Sequence, residues 1–79
     1  MTHYHGVALF NPNTGRWHPH AVAANRRAAE GLKAALMSRE DYGQNAALES
    51  EVRIHDLGVA ERPEKALGRL LDACKADNG

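Results

Sequence analysis

A small α+β domain of order ββαβα is the fold class this sequence predicts, with a three-stranded sheet and two helices packed on one face. Three observations carry that expectation. The run Asn11-Pro12-Asn13-Thr14-Gly15 is a turn signal between two segments of strand character. A second alternating segment, Glu51 to Asp56, follows much later in the chain. After the hairpin, and again after that segment, apolar residues recur at helical spacing. With 79 residues the chain has room for one domain, 1–79, and no second.

The first two strands are expected over Tyr4–Phe10 and Arg16–Ala23, around a four-residue loop. Pro12 pre-sets the first turn position, and Gly15 accepts the positive φ that closes it. Pairing Asn11 with Arg16 sets Phe10 across from Trp17, an aromatic pair worth ~0.5 kcal/mol beyond its burial. Continued without a break, that register sets His5 opposite Val22 and Val7 opposite His20. Pro19 has no N–H for a ladder, so this strand has a free side or a bulge there.

Asn25 is placed to cap a helix from Arg26 to about Arg39, in which Ala28, Leu32, Ala35 and Leu36 form the apolar stripe. Gly31 within it costs about 1 kcal/mol against Ala but allows close packing. Residues 40–50 leave two readings open: Tyr42-Gly43 suggests a break, while Asn45 to Glu49 could form a further helical turn. In the Glu51–Asp56 strand, Val52 and Ile54 share one face and Arg53 and His55 the other. Pro63 suits the first turn of a last helix, whose stripe is Leu67, Leu70, Leu71 and Cys74.

Composition narrows the function classes. Leu, Ile, Val and Phe together number fourteen, no more than the alanines, so the core is thin and a dimer interface or a docked partner would complete it. One cysteine excludes an internal disulfide and suits a reducing compartment. No apolar run approaches membrane-spanning length, so a cytoplasmic chain without membrane contact is expected. Catalysis has no support. Cys74 sits in an apolar stripe without a base, Ser38 and Ser50 lack a nucleophile turn, and the glycines form no phosphate loop. No cofactor is implied.

Charge is balanced overall but not along the chain. Residues 1–39 hold five basic residues against Glu30 alone, and residues 40–79 hold five basic against nine acidic. Arg26 and Arg27 oppose the dipole at a helix N-terminus, a poor placement for stability and a good one for an anionic partner. Tyr4, Phe10 and Trp17 share one hairpin face, with Arg16 at its end; either this face meets a partner, or it meets the helices and the histidine face lies outside. These six residues, Tyr4, Phe10, Arg16, Trp17, Arg26 and Arg27, are the candidate partner-binding set. His3, His5, His18 and His20 form two H-x-H pairs. In the unbroken register they share the other face, where an imidazole cluster can chelate a borderline metal. No acidic or thiol ligand lies near them in sequence, and no metal site is assigned.

The succession of strand, tight turn, aromatic strand and helix resembles small sheet-plus-helix DNA-binding domains such as integrase arm-binding modules. It departs from them in carrying only Arg16 on the hairpin. In size and neutrality the chain is also similar to small phage or mobile-element proteins that bind and inhibit a host factor. The resulting expectation is a non-catalytic module acting by protein–protein contact, with a homodimer as one form. Nucleic-acid binding through the basic half and metal binding through the H-x-H pairs are the alternatives.

Overall fold

The computed structural model describes residues 1–79. Strands β1 (Thr2–Asn11) and β2 (Arg16–Ala23) form the expected hairpin, followed by α1 (Arg26–Leu36), a single turn α2 (Arg39–Tyr42), β3 (Val52–Ala60) and α3 (Pro63–Asp77). The sheet order is β2-β1-β3, and β1 is antiparallel to both neighbours. β2 and β3 therefore run parallel, with β1 between them, and α1 is the crossover that joins them.

Local chemistry accounts for most element ends. Asn11 closes the hairpin turn by accepting from Gly15 N at 2.8 Å, and its side chain accepts from Asn13 N at 2.9 Å. Gly15 takes φ +68°. Asn25 caps α1, its Oδ1 accepting from Ala28 N at 2.8 Å. The helix stops at Leu36, short of the expected Arg39, because Ser38 leaves helical geometry to cap the separate turn α2.

The hairpin keeps the expected pairing from Asn11↔Arg16 to Ala8↔Pro19, then shifts: Val7 faces Ala21, not His20. His20 is the extra residue of a bulge next to Pro19, where the missing N–H interrupts the ladder. A second bulge makes β3 longer than expected. Tyr4 pairs with Gly58 and His5 with Asp56, so Leu57 is inserted between them and the strand resumes to Ala60.

The helices divide between the two faces of the sheet instead of sharing one. Val7 and Ala8 are adjacent on β1 and both fully buried, so they point to opposite sides. Val7 packs with Ala29 and Leu36 of α1 and with Val52 and Ala23. Ala8 packs with Tyr4, Leu57 and Ala60, and with Ala66, Leu70 and Cys74 of α3. The residues of β1 set the division: Val7 carries the α1 side, and Tyr4, Gly6 and Ala8 carry the side on which Leu70 of α3 packs. Buried stripes on α3 also differ from expectation: Ala66, Leu70 and Cys74 face the sheet, whereas Leu67 and Leu71 are each 43% exposed. No helix is long and apolar enough to cross a membrane.

Candidate functional site

The six candidate partner-binding residues do not make one surface. Tyr4 is buried, 9% exposed, inside the cluster under α3. It is a core residue, because α3 covers the face that an uncovered hairpin would have shown. Phe10 and Trp17 do pair, with ring centroids 5.4 Å apart at 60°. Trp17 is half-buried and held in place. Its N–H donates to Asn78 Oδ1 at 2.6 Å, Asn78 Nδ2 donates to its carbonyl at 3.1 Å, and the Arg53 guanidinium lies 4.3 Å from its ring centroid. Arg53 in turn pairs with Asp77 at 2.7 Å, which also meets His55 Nε2 at 3.0 Å. These contacts fasten the C-terminal end of α3 to β2 and β3.

Arg16 is exposed at the hairpin end, and Arg26 and Arg27 are exposed at the start of α1. Arg16 opens the eight-residue strand β2 and Arg26 follows its far end, so about 25 Å of extended chain lies between them. Arg26 is engaged by Glu30 at 3.3 Å. The basic residues are thus spread along the molecule.

The histidines separate into two groups. His18 and His20 line an open groove of about 550 Å³ with Leu9, Phe10, Pro12 and Glu51. His3 and His5 stand one turn of the pleat apart on β1, their rings stacked at 5.0 Å and 8°. Asp56 joins them from β3, accepting from His3 Nε2 at 2.5 Å and from Gly58 N at 2.9 Å, both at Oδ1. The His3 hydrogen bond, with that of Gly58 second, holds the Asp56 carboxyl below the usual carboxylate range. One ligating atom from each of His3, His5 and Asp56 lies within 4.8 Å of the others. Sequence spacing cannot show Asp56 here, since it lies 51 positions after His5 and a bulge sets its register.

A third surface is apolar. Leu67 and Leu71 lie on the outer side of α3, and Leu67 forms a shallow trough with Val22, Pro63 and Glu64. Gly68 lies between them with open space where a Cβ would stand. Cys74 is buried at 3% exposure, and that burial, with Asp77 nearby, raises its thiol above the ordinary range. No protein-family model, no curated protein and no solved structure matches this chain, so the meaning of these surfaces rests on its own residues.

Proposed function

We propose that the protein is a non-catalytic binding module acting by protein–protein contact, and that its first partner is a second copy of the chain seated on the outer face of α3. The exposure of Leu67 and Leu71 carries this reading. Two leucines at i and i+4 on one helix, continued by Val22 and Pro63, make an apolar strip on a chain with few large apolar groups to leave unused. Charge at its ends fits self-pairing. Glu64 stands one turn before Leu67, and Lys75 one turn after Leu71. Across a two-fold axis near Gly68, antiparallel α3 helices bring Leu67 to Leu71 and each Glu64 toward the other copy's Lys75. Gly68 lets the helices approach closely.

Sedimentation across a wide dilution series tests this. The expected result is a monomer–dimer equilibrium abolished by Leu67→Lys with Leu71→Lys, while the circular dichroism spectrum is unchanged. Glu64→Lys and Lys75→Glu should each weaken the dimer, and together restore it. A wild-type monomer at every concentration overturns the reading. Nucleic-acid binding has less support, because Arg16 lies far from Arg26 and Arg27, and Arg26 is paired with Glu30.

A further inference from the structure

We propose that His3, His5 and Asp56 form a binding site for a divalent transition metal of the zinc class, at the bulged end of the β1–β3 ladder. Two imidazoles and a carboxylate are a donor set suited to borderline metals, and they come from two strands that the metal would cross-link. The three ligating atoms already lie within 4.8 Å of one another, against about 3.4 Å between donors around a tetrahedral zinc. Small side-chain rotations close that gap, and the exposed side chain of His3 can make them toward the carboxylate. In the same movement the 2.5 Å contact between His3 and Asp56 opens to admit the ion.

Independent features of the site point the same way. His5 Nδ1 is buried and has no hydrogen-bond partner, so this ring beside the cluster has a polar atom that the fold itself leaves unused. Asp56 Oδ1 is fixed by Gly58 N–H, so the carboxylate is oriented while Oδ2 has no hydrogen bond. An oriented ligand with a free lone pair is what outer-shell hydrogen bonding provides in metal centres. The Leu57 bulge, followed by Gly58 at φ +74°, is what brings Asp56 opposite His5; an unbroken ladder from Tyr4↔Gly58 would place Leu57 there. His18 and His20 line the groove at the hairpin end and take no part. The site is open to solvent, so water or a group from a bound partner would complete the coordination.

The test is zinc alone added to untagged protein, followed by calorimetry and by thermal melts. One zinc per chain and a raised melting temperature are expected in the wild type, because the ion binds only the folded arrangement. His3→Ala and Asp56→Ala should each lose both effects, whereas His18→Ala with His20→Ala should keep them. Cobalt absorption in the visible range provides a second readout, expected in the wild type and lost in the same two variants. No heat and no shift in the wild type overturns the proposal. So does equal loss in the His18/His20 variant, which would mean diffuse imidazole binding.

Discussion

Gly6 marks the closest approach of β1 to α3. A Cβ there would stand 2.7 Å from Leu70 Cδ1 and 3.0 Å from Leu57 Cδ1. Leu70 is fully buried and has no room to retreat, so Gly6→Ala should destabilise by about 1–3 kcal/mol in urea unfolding. Gly31 is the opposite case. It has nothing within 4 Å, so close packing does not explain it. On the exposed side of α1 its cost is purely conformational, and Gly31→Ala should stabilise by about 0.5–1 kcal/mol in the same assay. At Cys74, a buried thiol held above its ordinary range leaves little thiolate at neutral pH. A disulfide reagent should therefore label the native protein slowly and the urea-unfolded protein at once. Rapid native labelling would mean that α3 opens far more readily than its packing implies.

At the scale of elements, two asparagines act as hidden joints. Asn25 satisfies an orphan N–H at the start of α1, and Asn25→Ala should cost about 0.5–2 kcal/mol. Asn78 works across elements, since its amide pairs with both the N–H and the carbonyl of Trp17 and so replaces a neighbouring strand along the free edge of β2. Asn78→Ala removes both bonds and should cost about 1–3 kcal/mol, with loss of Trp17 fluorescence anisotropy as α3 loosens from the edge. Asn78→Asp keeps the acceptor for Trp17 N but loses the donor, and should fall between the two. Equal stability of all three forms would show that the Arg53–Asp77–His55 contacts hold this helix end alone.

For the whole molecule, one thin sheet is shared by two small cores. Val7 anchors the α1 side and Leu70 the α3 side, and these are the largest fully buried side chains. Leu70→Ala should therefore cost about 2–5 kcal/mol, a large part of the stability of so small a domain, and calorimetric melting would read it directly. The same shortage of buried apolar surface gives the exposed α3 strip its weight. If the dimer forms as proposed, the melting temperature should rise with protein concentration, and the Leu67/Leu71 double lysine variant should remove that dependence.

Signals that act over a few residues made the hairpin turn, the Asn25 cap, the Pro63 helix start and the first half of β3 legible in the sequence. Each depends on one residue's own backbone preference or one nearby hydrogen bond. The run Gly6-Val7-Ala8-Leu9-Phe10 carried a further message, because an unbroken apolar stretch marks a strand covered on both faces. Read by alternation alone, it suggested one covered face. Tertiary structure decided the remainder: α3 on the second face, Tyr4 in the core, Leu67 and Leu71 outside it, and Asp56 beside His3 and His5. Two one-residue bulges lie behind much of this, and a single extra residue sends every following side chain to the opposite face. Whether a strand absorbs such a residue depends on what packs above and below it, and that is settled only when α1 and α3 are in place.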